Sequence, residues 1–283
     1  VAIATAVSNA SLFAGKRVAV LGAGKMGGII LRALLNEGMI TPDRACATVL
    51  YAHEVDSVSK TFNINVGQDN VAAVRDADIV VLAVKPQQVK ELLESVRGVV
   101  RPDQLFISVA ASVPTGFMEK ALAAKIPVVR AMPNTPAFVR KGMTALCKGA
   151  YAEDQHVELA RTLFDSVGRT VVVDEKHMDA ITGLSSSGPA YIYIIIESLA
   201  EAGVKVGLPR DMATLLAAQT TMGAASMVLE TGDHPALLKD AVTTPAGCTI
   251  DGILELEEGK LRVTLIKAVV KAANRAKELM FNH

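Results

Sequence analysis

Tryptophan is absent from the 283-residue chain, and aromatic residues make up only 4% of it. Filling a core therefore falls to Ala, Val, Leu and Ile, which suits buried parallel sheets and closely packed helices. Cysteine is scarce: Cys46, Cys147 and Cys248 stand alone, without a CxxC spacing. That odd, sparse set argues against a disulfide scaffold and a structural zinc site. It points to a reducing compartment, so a cytoplasmic protein is expected. The five His residues are scattered, with none in a ligand spacing, and no metal is expected. An excess of either charge is also missing, since 29 Lys plus Arg balance 29 Asp plus Glu. Nothing suggests a nucleic-acid footprint or a polybasic membrane surface, which leaves small molecules and other subunits as partners. No apolar run is read as reaching a membrane span; the longest, Ala190 to Leu199, contains Tyr191, Tyr193 and Glu197. Val1 to Gly15 carry no charge and are expected to form a loosely ordered tail with no targeting role.

Hydrophobic residues make up 51% of the chain, enough for one large or two modest domains. The first half alternates strand and helix patterns. Arg17 to Leu21 is a β-branched run ending in glycines, and Gly27 to Glu37 has helical spacing with Ile30, Leu31, Leu34 and Leu35 apolar. Further strands are expected over Ala45 to Tyr51, Ile79 to Val84, Leu105 to Val109 and Val128 to Met132, then Met143 to Cys147 and Arg169 to Asp174. This alternation predicts βαβ units and a buried parallel sheet. After Glu175 strand signals vanish. Pro189 to Lys205, Pro209 to Glu230, Pro235 to Val242, Thr249 to Glu258 and Leu261 to Met280 read as helices. The helix carrying Ala213, Leu216, Ala217, Gly223 and Met227 is apolar over most of its circumference, which predicts burial in an intertwined dimer.

Gly22-Ala23-Gly24-Lys25-Met26-Gly27 is a G-x-G-x-x-G directly after a strand and opening a helix. The first glycine allows a tight turn, the second lets a pyrophosphate approach the backbone, and the third permits close helix–strand packing. The phosphate charge then meets free N–H groups at the helix N-terminus. After the second strand, Glu54 favours NAD, whereas His53, Ser57 and Lys60 suit the extra phosphate of NADP; this stretch leaves both open. Ala83-Val84-Lys85-Pro86 lies at the carboxyl edge of the sheet, where Lys85 is either a cofactor contact or a plain surface lysine. Val109-Ala110-Ala111 ends the next strand with small residues that leave room for a flat nicotinamide ring or serve ordinary packing. Two segments of the helical half, Gly183 to Ala190 and Thr243 to Thr249, place hydroxyls and backbone N–H groups at helix starts. They suit a carboxylate, or they are simple N-caps. No nucleophile elbow, Ser-His-Asp order or carboxylate pair is evident.

Taken together, these segments resemble the pyrroline-5-carboxylate reductase family from about Arg17 to the C-terminus. The most specific stretch is Leu238 to Glu257, with Thr243-Thr244, the turn Pro245-Ala246-Gly247 and Thr249; Ala131 to Pro136, Ala83 to Pro86 and Gly183 to Tyr191 match in order. The resemblance implies an α/β fold with an N-terminal Rossmann-type dinucleotide-binding domain followed by an all-helical dimerisation domain. The expected division is a tail over 1–15, a dinucleotide domain over 16–175 and a helical dimerisation and substrate domain over 176–283. It implies NADPH or NADH as cofactor, pyrroline-5-carboxylate as substrate, L-proline as product, and homodimers, which in this family often assemble further into decamers. The active site is implied to form where the helical domain of one subunit meets the nucleotide domain of its partner. Carried over by position, cofactor contacts fall on Leu21, Gly22, Ala23, Gly24, Lys25 and Met26, on Asn70, on Ala83, Val84, Lys85 and Pro86, and on Val109, Ala110 and Ala111. Substrate contacts fall on Thr244, Gly247, Cys248, Thr249 and Glu175, with Thr249 catalytic. The chain departs from the family at Ser186 and Ala246, where members commonly have Gly, and at Ala241, where many have Asn. The loop after the second strand lacks the Asn, Arg and Ser phosphate readers of many members. Two other readings are a related two-domain imine or hydroxyacid dehydrogenase, and a nicotinamide-sensing protein without turnover. The former usually carries a lysine acid on the first long helix of its second domain, whereas the helix from Pro189 has Glu197 in its middle.

Overall fold

Val18–Leu21 (β1) is buried along its whole length, as expected of a strand covered on both faces in a parallel sheet. Seven strands join it: Ala45–Thr48 (β2), Asn65–Gly67 (β3), Ile79–Leu82 (β4), Leu105–Ser108 (β5), Val128–Met132 (β6), Gly142–Lys148 (β7) and Gly168–Val172 (β8). Their order across the sheet is β3-β2-β1-β4-β5-β6-β7-β8. The chain winds outward from β1 to β3, returns to the centre at β4, and winds outward the other way. The structure, a computed structural model, describes residues 12–280. Phe13, inside the segment expected as a tail, is buried in the core at 1% exposure, and residues 1–11 of that segment lie outside the described residues.

Helices Lys25–Asn36 (α1), Ala52–Phe62 (α2), Asn70–Arg75 (α3), Pro86–Val96 (α4), Thr115–Leu122 (α5) and Asp154–Asp165 (α6) alternate with the strands. Successive strand residues feed opposite faces, as the two-residue period requires. Val18, Val20, Ile79 and Val81 pack with Ile30 and Leu34 of α1 and Leu163 of α6. Ala19, Leu21, Val80 and Leu82 pack with Leu93 of α4 and Met118 of α5. All pairings are parallel except β6–β7, which is antiparallel. The wholly parallel sheet expected from the alternation is corrected there: residues 133–141 are too short a link for a helical crossover. The second strand also ends at Thr48, short of the expected Tyr51, because Tyr51 is the N-cap of α2.

Beyond β8 the described residues contain helices only: Met178–Ile181 (α7), a π-turn over Thr182–Ser186, then Gly188–Lys205 (α8), Arg210–Thr231 (α9), Pro235–Ala241 (α10), Cys248–Glu258 (α11) and Leu261–Met280 (α12). One compact unit runs through Ser186 and takes in the chain from Ala272; the other is Ser187–Lys271. In the second unit Ala200 of α8 packs on Ala213 and Ala217 of α9, supported by Ile196, Val204 and Leu208. Small side chains bring these two helices together, but they cover little of either. Ile194, Leu215, Leu216, Met222 and Met227 remain exposed. By length and composition α9 is apolar enough to cross a membrane, contrary to the expectation that no apolar run reaches a span. A second copy of the chain covering these faces accounts for the same pattern. Sedimentation at micromolar concentration should therefore give a dimer or larger species, and Leu216→Glu should shift the distribution toward monomer.

Candidate functional site

The sheet reverses direction between β1 and β4, and the crevice outside their carboxyl ends is where ligands settle in open α/β sheets. A cleft of about 480 Å3 lies there, lined by Gly22, Ala23 and Gly24 after β1, Thr48 to Tyr51 after β2, Asn70 after β3, and Ala83, Val84 and Lys85 after β4. The three glycines of the turn differ in what requires them. Gly22 has φ +95°, and a Cβ there would meet the Ala83 carbonyl oxygen at 2.8 Å. A Cβ on Gly27 would lie 2.1 Å from the Gly22 carbonyl oxygen. Around Gly24 a Cβ would meet nothing within 4 Å, so the backbone there is open to a ligand. Gly24 is the N-cap of α1, makes no side-chain cap, and no acidic residue occupies the first turn. These features fit a dinucleotide pyrophosphate, which needs close backbone approach and unblocked N–H groups.

The turn is held from β2. Gly22 N and Ala23 N donate to the Thr48 carbonyl at 3.1 and 2.8 Å, and Gly22 N also reaches Thr48 Oγ1 at 3.3 Å. The Thr48 hydroxyl donates to Asn70 Oδ1 at 2.7 Å, which ties α3 to the same point. Gln68 Nε2 donates to the Leu50 carbonyl at 2.8 Å. Thr48 and Gln68 were not anticipated; the strand that brings Gln68 in, β3, has only three residues and no hydrophobic signature.

Of the expected cofactor residues, the cleft gathers Gly22, Ala23, Gly24, Asn70, Ala83, Val84 and Lys85. Leu21 is a buried strand residue, and Lys25, Met26 and Pro86 sit in or beside the helix starts without lining the cleft. Val109, Ala110 and Ala111 do not line it either; they pack into three different clusters.

The loop after β5 is fastened from elsewhere. Glu175 accepts from Thr115 N and from the Thr115 hydroxyl, both at 2.8 Å, at the first residue of α5. Arg130 Nη1 donates to the same carboxylate at 3.3 Å. Arg130 is only 2% exposed, and its Nε and Nη2 are buried without a hydrogen-bond partner, so Glu175 is its one countercharge among the described residues. Cys147 faces Arg130 across the β6–β7 register. Burial, and then the Glu175 charge, push its thiol up to about 12, with Arg130 offsetting part of the rise. Both oxygens of Glu175 are thus committed within the protein.

Asn134 carries a similar load. Its Nδ2 donates to the Ser185 carbonyl at 3.1 Å and its Oδ1 accepts from Met143 N at 2.9 Å, joining β7 to the π-turn. In the second unit the Thr243–Thr249 segment turns into α11 at Gly247. Gly247 N donates to the Thr244 carbonyl at 3.0 Å, and α11 has no side-chain cap. The N-capping explanation of this segment therefore fails, as it does at Ser187 before α8. Ala246 has φ +54°, a left-handed conformation that explains why a glycine is favoured at that position. Gly247 and Thr249 are half-buried, whereas Thr244 and Cys248 are exposed.

Comparison with known proteins gives a consistent result. The family model described as pyrroline-5-carboxylate reductase dimerisation matches residues 175–279, and that described as NADP oxidoreductase, coenzyme F420-dependent, matches residues 17–112. A pyrroline-5-carboxylate reductase from Methanosarcina acetivorans is 42% identical over 264 residues, covering 93% of this chain and 98% of the relative. The solved structure of a pyrroline-5-carboxylate reductase from Coxiella burnetii is 39% identical, covers 93% of this chain and 98% of its own, and superposes with a TM-score of 0.85. That of a pyrroline carboxylate reductase from Plasmodium falciparum with NADP bound is 29% identical, covers 94% and 98%, and also gives 0.85. A prephenate dehydrogenase from A. aeolicus, at 14% identity and a TM-score of 0.53, shares the fold alone.

Two substitutions test this geometry. Gly27→Ala should lower stability by about 1–3 kcal/mol, the usual cost of overpacking, and weaken dinucleotide binding; denaturant melts and binding titrations measure both. Glu175→Gln should cost about 3–5 kcal/mol, because it leaves the buried Arg130 guanidinium without its countercharge. A melt unchanged by that substitution would show that the clamp is not holding the α5 start.

Proposed function

Because the chain belongs to the pyrroline-5-carboxylate reductase family, we propose that it reduces the C=N bond of pyrroline-5-carboxylate with NADPH or NADH, giving L-proline. Two features combined in one chain carry this reading. A three-glycine turn opens a cleft at the sheet's switch point, and an uncapped helix start at Gly247 lies inside the stretch matched to the dimerisation model.

When bound, reduced nicotinamide would supply a hydride to the imine carbon of a substrate whose ring nitrogen has already taken a proton from solvent; the C=N π electrons then pass to that nitrogen, giving the amine of proline and oxidised nicotinamide. The chain's part is to hold and orient. Gly22, Ala23, Gly24, Lys25 and Met26 hold the pyrophosphate at the α1 start. Leu21 and Asn70 support that turn, and Ala83, Val84, Lys85 and Pro86 form the opposite wall. Val109, Ala110 and Ala111 form the platform for the nicotinamide ring. The backbone N–H groups of Gly247, Cys248 and Thr249, with the Thr244 hydroxyl nearby, hold the substrate carboxylate at the α11 start. The Thr249 hydroxyl bonds the ring nitrogen and sets its orientation. Glu175 fixes the platform loop through Thr115 and Arg130, and with its side chain one-third exposed it keeps its place among the substrate contacts.

We place the active site between the helical domain of one subunit and the nucleotide domain of its partner. The domain division 16–175 and 176–283 and the assembly of dimers into decamers belong to the same proposal. A cytoplasmic location is supported by three free cysteines, the mark of a reducing compartment.

The direct test follows NADH or NADPH absorbance with pyrroline-5-carboxylate added last. Consumption of the cofactor only after the imine arrives, with proline as product, is expected; no consumption with either cofactor would overturn the reading. Thr249→Ala should keep its fold and lose roughly ten- to a hundredfold in turnover, the cost of one oriented hydrogen bond. Unchanged turnover would remove Thr249 from the mechanism.

A further inference from the structure

We propose that this chain favours NADH over NADPH, because Glu54 puts its own carboxylate where the 2′-phosphate of NADPH would otherwise sit. The proposal rests on the dinucleotide-dependent reading above and names the cofactor class that reading leaves open.

The adenosine ribose of a bound dinucleotide lies beside the end of the second strand. Here that end runs from Thr48 straight into α2, with Tyr51 as N-cap. A helix start is the natural seat for a phosphate, since its N–H groups and positive dipole end both face outward. At α2 a carboxylate already stands beside that seat. Glu54 reaches back: its Oε2 accepts from Tyr51 N at 3.3 Å, while its own N donates to the Tyr51 carbonyl at 3.0 Å. Tyr51 and Glu54 both line the cleft that holds the glycine turn. A phosphate entering there would have to displace the carboxylate from its donor or lie against it, and like charges at such range repel strongly. A ribose hydroxyl meets no such barrier and can donate to the same oxygen.

The groups that would have welcomed a phosphate are elsewhere. His53 stacks on the Tyr51 ring, with centroids 5.5 Å apart and planes at 16°. His53, Ser57 and Lys60 are exposed, and none of them lines the cleft. Among the described residues lining it, Lys85 is the only basic one; it stands on the β4 side, and Glu91 adds a second carboxylate.

Titration calorimetry on the intact protein, without substrate, reads the effect directly. NADH should bind tighter than NADPH by about tenfold or more, and 5′-AMP should likewise bind tighter than 2′,5′-ADP. Glu54→Gln, which keeps a cap acceptor but removes the charge, and Glu54→Ser should both shrink that ratio. A wild-type protein that binds NADPH as tightly as NADH overturns the proposal, as does a preference for NADH that survives both substitutions. Either result, obtained with a protein that still reduces the imine, leaves the reductase reading standing. Failure to bind either dinucleotide overturns both.

Discussion

Backbone against backbone at the turn after β1 is the constraint on which the rest of the first unit depends. The Gly22 carbonyl and Gly27 lie so close that no side chain fits between them, and the turn is fastened to β2 through Thr48. This contact sets how near α1 stands to the sheet. It thereby leaves the α1 N-terminus open at Gly24, where a dinucleotide's charge can be received without a cationic side chain. Thr48 and Asn70 extend the same fastening to β3 and α3, so three βα connections share one anchor.

A second fastening operates at the other end of the loop system. The Glu175–Thr115–Arg130 group joins the start of α5, the buried part of β6 and the entry to the helical half of the chain. A buried guanidinium with a single countercharge is an expensive element, and it is weak evidence for stability in its own right. Its value here is geometric, since it holds the loop Val109 to Pro114 against a carboxylate that comes from far along the chain. Asn134 does comparable work between β7 and the π-turn. Asn134, inside the Ala131 to Pro136 segment, thus has a structural explanation.

Much of this was legible in the residues. The glycine turn, the strand–helix alternation, the shift to helices after Glu175 and the Thr243–Thr249 segment all follow from local pattern: a period of two, a period of 3.6, and glycine where no Cβ fits. The places where that reading fell short are equally specific. β3 is too short to have a period. The direction of β7 depends on the length of its link rather than on its composition. The apolar length of α9 emerges only once Arg210–Thr231 forms one unbroken helix, because its interior mixes Leu and Met with Ala, Thr and Gly, residues with little hydrophobic signal of their own. Phe13 lies in an uncharged stretch that reads as a tail, yet its ring is buried.

The linear order of residues determined the chemistry available: a phosphate cradle, a hydroxyl-bearing turn, and few acid–base groups. Those are properties of neighbours in the chain, where spacing alone decides what can face a ligand. Only tertiary structure decided which groups meet across long separations. It joined Thr115 and Arg130 to Glu175, and turned Glu54 rather than His53, Ser57 or Lys60 toward the cleft. The reason is that side-chain direction at a helix start depends on how the helix is capped and packed, which residue types in a row do not reveal.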